Sequence, residues 1–469
     1  MCETDKEWTT VQQTFQKIWG YEDLRASQKE IVTSLLKGQD SLAIMATGGG
    51  KSICFQLPAF LNEGLTLVVS PLLALMEDQV RDLQTRNLPA SALHSNLSQM
   101  ERREVLRNLP NTRLLYISPE TLLSQPVWEK LCDRELQITG LMLDEAHCLV
   151  QWGDSFRPSY RRLGAVRSAL MLHKPDHHPR ISLAAFTATA DRNTIAELQD
   201  CLQMQNPKIV RTSPYRPHLS LKVKIVWTPA GRKSLTLKFI RDRKGQSGLI
   251  YVRSRRDAET LAAWLQENSF ATAAYHAGLP PQERRHIEKQ WLTNKYPFVI
   301  CTSAFGLGIN KPDTRWVLHF HPPLTLSEYI QEIGRAGRDD QPAEALMLVS
   351  EPTGLLDDSD RQRVNFFLQQ QQKIQQQALA LLPKLPKQGN FTEVSKLYPD
   401  AAIALGLLHR SGNLTWHTPF NYEIHNLPNN QQKIKRQIGD QSEITKMQDF
   451  IRTRGDPWDF LLNAFNCDE

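Results

Sequence analysis

Short apolar runs alternate with helical stretches between residues 41 and 209. Each run ends in polar or glycine-bearing residues that lead into a helical stretch such as Ala74–Leu83. A strand that is apolar along its whole length needs cover on both faces, so the alternation predicts a parallel sheet with helices on both sides. The runs that we expect to be its strands are Leu65–Ser70, Leu114–Ser118, Gly140–Leu143 and Ile181–Ala185.

A second α/β series follows a pause in this pattern. The pause is Arg211–Leu219, which contains two prolines and is typical of a linker. The strands that we expect after it are Gly248–Val252, Thr272–His276, Phe298–Thr302, Val317–Phe320 and Ala345–Val349. The sequence therefore predicts two tandem α/β domains of similar size, residues 1–210 and 211–350.

The pattern changes again after Glu351. Gln369–Gln377 is almost entirely glutamine, for which we favour a helix over a linker. Phe391–Trp416 is helical in pattern, and Leu414–Ile424 resembles a short β-hairpin. We therefore predict that residues 351–469 form a small, mostly helical, winged-helix-like module that ends in the helical segment Trp458–Phe465.

Composition and charge narrow the class of protein. The 469 residues are 41% hydrophobic, which excludes wholesale disorder. The net charge of +6 slightly favours a polyanionic partner but does not by itself indicate nucleic-acid binding. No two of the seven cysteines are spaced as C-x-x-C, so neither a zinc knuckle nor a disulfide framework is indicated. The sequence lacks a signal peptide and any run of about 20 apolar residues, so we expect a cytoplasmic protein without membrane contact.

A glycine-rich turn follows the apolar stretch Ser41–Met45, with the sequence ATGGGKS. Backbone amides of such a turn converge on phosphate oxygens, and the helix that begins after it adds a favourable dipole. Lys51 is then placed to reach the β- and γ-phosphates, and the Ser52 hydroxyl to bind Mg²⁺. The alternative is an ordinary glycine turn. The residues expected to surround the phosphates are Thr47, Gly48, Gly49, Gly50, Lys51 and Ser52.

Two acids end a predicted strand in the sequence LMLDEAH. Ligands of open α/β sheets bind at this end of the strands. Asp144 is expected to hold Mg²⁺ through water, and Glu145 to orient or deprotonate the attacking water. We expect His147 to relay the state of the nucleotide to a neighbouring segment. The alternative is an acidic strand end without catalytic function.

A pair of arginines occurs in the second domain, within QEIGRAGR. Arg335 and Arg338 are three residues apart, so we expect them on one face of a helix. If the two domains close on one nucleotide, these arginines can stabilise the charge that develops during phosphoryl transfer. The alternative is a surface salt-bridge cluster.

The motifs taken in order resemble those of RecQ-type DNA helicases across roughly residues 10–350. They read ATGGGKS, VVSPLLALMEDQV, LLYISPETL, DEAHCLVQWGDSFRPSY, AFTATAD, YHAGL, AFGLGINKPDTRWVLHF and QEIGRAGRD. The resemblance implies two RecA-like domains with ATP between them and ATP-driven, 3′ to 5′ unwinding of DNA. It also implies that Tyr21, Arg25 and Gln28 recognise adenine.

Residues that would contact DNA follow from the resemblance and from their chemistry. Trp152, Phe156, Arg157 and Tyr160 form an aromatic and basic segment behind the acids, suited to stacking on bases and pairing with phosphate, or alternatively to a hydrophobic loop core. Strand ends are the other candidates, each with a structural role as the alternative. The residues expected to follow the DNA backbone are Ser70, Pro71, Ser118 and Pro119 in the first domain and His276 and Thr302 in the second.

Further residues are expected to complete the cleft. The hydroxyls of Thr187 and Thr189 are expected to couple the two domains, and Gly306, Gly308 and Asn310 to line the cleft opposite the phosphates.

The sequence departs from the family at its C-terminal end. The family usually continues with a four-cysteine zinc domain, but Gly455, Asp456 and Pro457 occupy the neighbourhood of the first cysteine, and Cys467 stands alone. Zinc binding is therefore not expected. His417–Tyr422 is a candidate for the pin that separates strands.

We accordingly expect an ATP- and Mg²⁺-dependent DNA helicase of DNA repair or recombination, monomeric, acting on single-stranded, tailed or forked DNA. The sequence identifies no protein partner. One alternative is a DNA-stimulated translocase or remodeller with weak or no strand separation. Others are an annealing protein that uses ATP only as a switch, and a motor that acts on RNA.

Overall fold

A computed structural model describes residues 3–46, 48–151, 158–305, 311–425 and 442–465 of the chain. Contacts divide the chain into two units, neither of which is continuous in sequence. The first unit comprises Met1–Met45, Gly49–Thr212 and Gln371–Gly439. The second comprises Ala46–Gly48, Ser213–Gln370 and Asp440–Glu469.

A parallel sheet forms the centre of the first unit. Its strands are β1 Ser41–Ile44, β2 Leu65–Val69, β3 Ala90–Leu93, β4 Leu114–Ile117, β5 Ile138–Leu143, β6 Ser182–Thr187 and β7 Lys208–Arg211. They lie in the order β3-β4-β2-β5-β6-β1-β7. Separate apolar clusters pack on the two faces of the sheet, because the central strands are buried along their whole length. The predicted parallel sheet is thus confirmed.

Helices cover both faces of this sheet. They are α1 Glu3–Trp19, α2 Ala26–Leu36, α3 Lys51–Leu61, α4 Leu73–Thr85, α5 Gln99–Arg107, α6 Pro119–Leu122, α7 Gln125–Leu131, α8 Cys148–Gln151, α9 Val166–Met171 and α10 Arg192–Cys201. Short 3₁₀ helices occupy Leu109–Asn111 and Pro158–Ala165.

The second unit contains a sheet of the same kind. Its strands are β8 Leu219–Val226, β9 Ser247–Tyr251, β10 Ala274–Tyr275, β11 Phe298–Cys301, β12 Thr314–His319 and β13 Ala343–Ser350, in the order β10-β11-β9-β12-β13-β8. Its helices are α11 Pro229–Arg241, α12 Arg255–Glu267, α13 Pro281–Leu292 and α14 Leu326–Ile333. All five predicted strands occur here, and β8 begins where the predicted linker ends.

Residues 351–469 do not form one module. The long helix α15, Ser359–Leu381, contains the glutamine run, as favoured from the sequence. Contacts then assign residues 371–439 to the first unit and residues 440–469 to the second. No helix within the described ranges is long and apolar enough to cross a membrane.

The part that joins the first unit is winged-helix-like, as predicted. Its elements are β14 Gln388–Asn390, α16 Phe391–Leu397, α17 Ala401–Arg410, β15 Leu414–Trp416 and β16 Asn421–Ile424. The three strands form an antiparallel sheet in the order β14-β16-β15, so the predicted hairpin is confirmed.

The tip of this hairpin is docked on the first unit. Arg162, in the 3₁₀ helix that follows the DEAH segment, donates from Nε to the carbonyl of Pro419 at 2.6 Å. Its guanidinium lies 3.9 Å from the ring centroid of Phe391, and the ring of Phe420 packs edge-on against Trp128 at 5.4 Å. Burial lowers the pKa of Arg162, and the aromatic rings offset part of that desolvation. The tip of the candidate pin His417–Tyr422 thus packs against the protein, and its function as a pin stays a prediction.

Two helices at the other end of the chain complete the core of the second unit. They are α18 Ser442–Arg452 and α19 Pro457–Ala464. Trp458 donates from Nε1 to the carbonyl of Leu219 at 2.9 Å, and Phe450 packs on Tyr329 at 5.1 Å. Asp456, in the neighbourhood of the family's first zinc cysteine, caps α19 by accepting from the Trp458 amide at 2.8 Å. The absence of zinc stays a prediction.

Replacing Trp458 with alanine should destabilise the second unit by about 3–5 kcal/mol, because a buried aromatic side chain and its hydrogen bond are lost together. Trp227→Ala is the matched control, since Trp227 is 60% exposed. Urea unfolding followed by circular dichroism measures both variants. Equal losses in the two variants would contradict the packing role of Trp458.

Replacing Arg162 with alanine should loosen the hairpin by roughly 2 kcal/mol, which corresponds to about thirtyfold faster amide exchange in β16. Arg103→Ala is the control, because Arg103 is exposed on α5. Hydrogen exchange read by mass spectrometry resolves the peptides concerned. Unchanged protection of β16 in Arg162→Ala would show that the docking contact adds nothing.

Candidate nucleotide-hydrolysis site

The glycine turn lies between β1 and α3, at the carboxyl edge of the first sheet. Gly50 precedes α3 with a φ of +77°, a left-handed conformation that favours glycine. A Cβ atom at this position would also collide with the Nε2 atom of Gln28. Because glycine has no side chain to cap the helix, the first amides of α3 remain open to an anion.

Gln28 connects the predicted adenine segment with this turn. Its Nε2 atom donates to the carbonyls of Gly49 and Gly50 at 3.3 and 3.4 Å, and its Oε1 atom accepts from the Arg25 amide at 2.9 Å. Tyr21 is 60% exposed and stacks on Phe15 with centroids 6.0 Å apart. The structure thus brings Gln28 to the turn and leaves the Tyr21 ring open on one side.

The acids of the DEAH segment meet Lys51 at the end of β5. The Nζ atom of Lys51 lies 3.2 Å from Glu145 Oε1, and both side chains are about nine-tenths buried. Glu145 has a φ of +50°, which is uncommon for a residue with a side chain and is typical of functional sites. Sequence reasoning named these residues correctly as neighbours, because adjacent loops of a parallel sheet share one edge.

Asp144 is suited to a cation. Burial raises the pKa of its carboxyl group to about 6, the neighbouring Glu145 adds to that rise, and Lys51 opposes it. At neutral pH the carboxylate is therefore ionised in surroundings that disfavour negative charge, and a bound Mg²⁺ would relieve this cost. Ser52, half-buried at the start of α3, supplies a hydroxyl of the kind that such sites use. These residues fit a magnesium ion.

His147 links Glu145 to the end of β6. Its Nδ1 atom lies 3.4 Å from Glu145 Oε2 and 3.1 Å from the hydroxyl of Thr187. The Thr187 hydroxyl donates to the carbonyl of Thr189 at 3.0 Å. Burial lowers the pKa of His147, so the ring is neutral at physiological pH. The arrangement provides a connected path from Glu145 to Thr187 and Thr189.

The arginine pair of the second unit does not lie on a helix. The helix α14 ends at Ile333, and both Arg335 and Arg338 follow it, so the predicted helical face is wrong. Gly337 has a φ of +62°, which continued α-helix does not allow. Arg216 donates to the carbonyl of Ala336 at 2.9 Å, and His218 Nε2 lies 2.8 Å from the carbonyl of Gly337. The segment predicted as a linker therefore holds the loop that carries Arg335 and Arg338, which we call the arginine loop.

A buried charge cluster, which sequence reasoning missed, anchors the start of this loop. Glu332 accepts from both terminal nitrogens of Arg253 at 3.2 and 2.7 Å and from His319 Nε2 at 2.9 Å. Burial alone would raise the pKa of Glu332, but Arg253 and His319 lower it to about 2. Polar residues at the ends of apolar strands, Arg253 after β9 and His319 in β12, were the signal available in the sequence.

The predicted DNA contacts have different outcomes. Tyr160 is fully buried in the core of the first unit, so its prediction as a stacking ring is wrong. His276 is 4% exposed and pairs with Glu259 at 3.0 Å, which leaves little of it to contact a phosphate. Thr302 is half-buried at the end of β11.

Two more of these residues, Ser70 and Pro71, are buried after β2. The Ser70 hydroxyl has no hydrogen-bond partner in the part of the chain that the structure describes. The predicted site residues that lie outside the described residues are Thr47, Trp152, Phe156, Arg157, Gly306, Gly308 and Asn310.

Replacing Asp144 with asparagine should stabilise the nucleotide-free protein at pH 7.5 more than at pH 4.5. The raised pKa of Asp144 means that folding favours its protonated form. The free energy of unfolding of the wild type therefore falls by up to roughly 3 kcal/mol as pH rises from 3.8 to about 6. Asparagine removes that loss. Urea unfolding at both pH values measures the free energy of unfolding of each protein. Asp133→Asn, at an exposed position, is the control. A stability difference between Asp144→Asn and wild type that does not change with pH would contradict this account.

Comparisons with known proteins agree with this geometry. A family model described as DEAD/DEAH box helicase matches residues 25–198, and one described as helicase conserved C-terminal domain matches residues 232–340. Among solved structures, the DUF1998 helicase MrfA bound to DNA has a TM-score of 0.62 at 18% identity, covering 91% of this chain and 63% of that chain. At that identity the likeness shows the fold alone, which is that of two RecA-like domains.

Sequence relatives give the family. The ATP-dependent DNA helicase RecQ of Synechocystis sp. is 51% identical over 461 residues, which cover 97% of this chain and 94% of the relative. The probable ATP-dependent DNA helicase RecS of Bacillus subtilis is 39% identical over 342 residues, covering 72% of this chain and 67% of the relative. With two parallel-sheet domains, a glycine turn facing a DEAH segment, and a relative that matches almost end to end, the chain belongs to the RecQ family of ATP-dependent DNA helicases.

Proposed function

We propose that this helicase couples ATP hydrolysis to 3′ to 5′ movement along single-stranded DNA and thereby unwinds tailed or forked duplexes. The observation that carries the proposal is the connected path from Lys51 through Glu145 and His147 to Thr187. Such a path lets Glu145, the proposed general base, respond to the phosphate and pass its state to a second segment. Family membership supports DNA as the substrate.

The ion pair between Lys51 and Glu145 corresponds to a resting state. While Glu145 is paired with Lys51, its carboxylate is not free to accept a proton from water. The γ-phosphate of ATP attracts the same lysine more strongly, because it offers more negative charge and more acceptor oxygens. Nucleotide binding therefore releases Glu145 to orient the attacking water.

The remaining residues have supporting roles in this proposal. Asp144 and Ser52 hold the magnesium ion, the glycine turn surrounds the phosphates, and Gln28 with Tyr21 binds the adenine. Arg335 and Arg338 stabilise the charge on the phosphoryl group in the transition state. We further propose a monomeric enzyme of the cytoplasm that acts in DNA repair or recombination.

The alternative is a DNA-stimulated translocase or remodeller with little strand separation. The docked hairpin favours it, because the tip proposed as a pin packs on Arg162 and Trp128. The two functions differ in whether hydrolysis releases a strand.

Replacing Glu145 with glutamine should reduce ATP turnover by about 10²–10⁴-fold while ATP binding is retained. The glutamine side chain has nearly the same size as glutamate but cannot act as a general base. Glu135→Gln is the control, since Glu135 is exposed near the start of the same strand. Steady-state ATPase assays with and without single-stranded DNA measure turnover, and fluorescent nucleotide titration measures binding. Normal turnover in Glu145→Gln would remove the proposed role.

The same preparations decide between the two functions. Wild-type protein should release the strand of a duplex with a 3′ tail and leave a 5′-tailed duplex intact. DNA-stimulated hydrolysis without release from either duplex would establish the translocase instead.

A further inference from the structure

A buried glutamine interrupts the apolar face of α3. The helix has the sequence KSICFQLPAFL, and Gln56 within it is 4% exposed. Its neighbours Phe55 and Ala59 belong to an apolar cluster that also contains Met76 and Val80 of α4. Burying a carboxamide costs free energy unless its hydrogen bonds are satisfied, so the partners of Gln56 determine where its side chain can lie.

The carboxamide of Gln56 joins three elements of the first unit. Its Nε2 atom donates to Oε1 of Gln79 in α4 at 2.9 Å and to the hydroxyl of Tyr116 in β4 at 2.8 Å. A shift of α3 relative to α4 or β4 would therefore stretch or break one of these hydrogen bonds, and a buried polar group that loses its partner is costly. The three elements are linked rigidly at this point.

The network lies beside the residues suited to phosphate and magnesium. Ser52 and Gln56 are four residues apart in α3, so they lie on one face of the helix, one turn from each other. Burial raises the pKa of the Tyr116 hydroxyl far above its usual value, and the nearby Asp144 carboxylate adds to that rise. A ligand held by Ser52 and Asp144 would therefore lie next to two of the elements that Gln56 connects.

The helix α4 is also bonded on the adenine side. Arg86, the residue after α4, donates from Nη1 to the carbonyl of Ile18 in α1 at 2.8 Å. Asp82 accepts from Nε and Nη2 of Arg86 at 3.1 and 3.2 Å, which orients the guanidinium. Ile18 precedes Tyr21 by three residues. The helix is thus bonded to elements on both the phosphate side and the adenine side of the nucleotide site.

The other end of α4 follows two residues that are predicted to contact DNA, Ser70 and Pro71. The helix begins at Leu73, and the side chain of its N-cap residue Leu72 makes no hydrogen bond to the first turn. The first amides of α4 can therefore donate to a phosphate, as can the Ser70 hydroxyl, which has no hydrogen-bond partner within the described ranges. One helix thus extends from the nucleotide elements to the predicted DNA contact.

We propose that Gln56 and Gln79 are positioning residues that couple nucleotide binding to DNA binding. Their hydrogen bond passes a movement of α3, caused by the phosphates, to α4 and so to the DNA contact at Ser70. The proposal rests on the proposed function and deepens it, because it adds a second link that is separate from the path through His147 to Thr187. Coupling of this kind is reciprocal, so DNA changes the affinity for nucleotide by the same factor.

The test measures binding of the full chain to a labelled 20-mer of thymidine by fluorescence anisotropy, with and without a non-hydrolysable ATP analogue and Mg²⁺. The ratio of the two dissociation constants is the coupling factor, which should be about fivefold or more in the wild type. Gln56→Met and Gln79→Met keep the length of the side chain and remove the hydrogen bond. Each should bring the factor closer to 1 by about threefold or more, with the affinity for either ligand alone nearly retained.

Two comparisons separate coupling from packing. The double variant Gln56→Met with Gln79→Met should have the coupling factor of Gln56→Met alone, because that change already removes the bond to Gln79. Arg81→Gln is the matched control on α4, since Arg81 forms an exposed ion pair with Asp78 of the same helix, and it should leave the factor unchanged. Thermal unfolding checks the folding of each variant. Gln79 is half-buried, so Gln79→Met keeps the test decisive if Gln56→Met does not fold.

An unchanged coupling factor in the folded single variants, or a wild-type factor of 1, would overturn the coupling role of Gln56 and Gln79. Losses that add in the double variant would also overturn it and would assign the two glutamines to packing alone. Failure of the wild type to bind the oligonucleotide, or to hydrolyse ATP faster with it, would instead overturn the proposed function.

Discussion

Buried carboxylates need a cation, and this requirement organises both units. In the first unit Lys51 lies 3.2 Å from Glu145. Lys51 also acts on the neighbouring Asp144, whose pKa burial nevertheless keeps raised. In the second unit Arg253 holds Glu332 with two hydrogen bonds. The first cluster has two carboxylates beside one lysine, whereas in the second Arg253 donates to both oxygens of Glu332 and lies 3.9 Å from Glu328. The carboxylates of the first cluster would gain from a further cation, whereas Glu332 already has its cation and is held rigidly.

The hydrogen bonds of Glu332 explain the position of the loop that carries Arg335 and Arg338. Glu332 belongs to the last turn of α14, and the loop with Arg335 starts two residues later. With Arg216 and His218 bonded to the carbonyls of Ala336 and Gly337, the loop is held at both its start and its middle. A loop that is held in this way has little backbone conformational entropy left to lose when a ligand binds.

The sequence predicted the parts of the fold in which one local signal decides the structure. Strands buried on both faces, such as β2 and β6, appear as continuous apolar runs and were found. The edge strands β3, β7 and β8 were missed because one side of each is partly exposed, so polar residues such as Lys222 and Lys224 interrupt the run.

Among site residues, Lys51, Asp144 and Glu145 were predictable because loops after parallel strands share an edge. Tyr160 was not, since its position in a core depends on contacts with distant segments. The same limit applies to Arg162, whose partners Phe391 and Pro419 lie more than 200 positions away along the chain.

The discontinuous units have a consequence for biosynthesis. The second unit's sheet is complete once residue 350 has been made, but its core also contains Phe450, Trp458 and Leu461. While the winged-helix-like segment is being translated, the apolar surface on which α18 and α19 later pack is therefore still uncovered in the nascent chain. During that interval the exposed apolar surface is a target for chaperones. A truncated product that lacks α18 and α19 would have an incomplete core in its second unit.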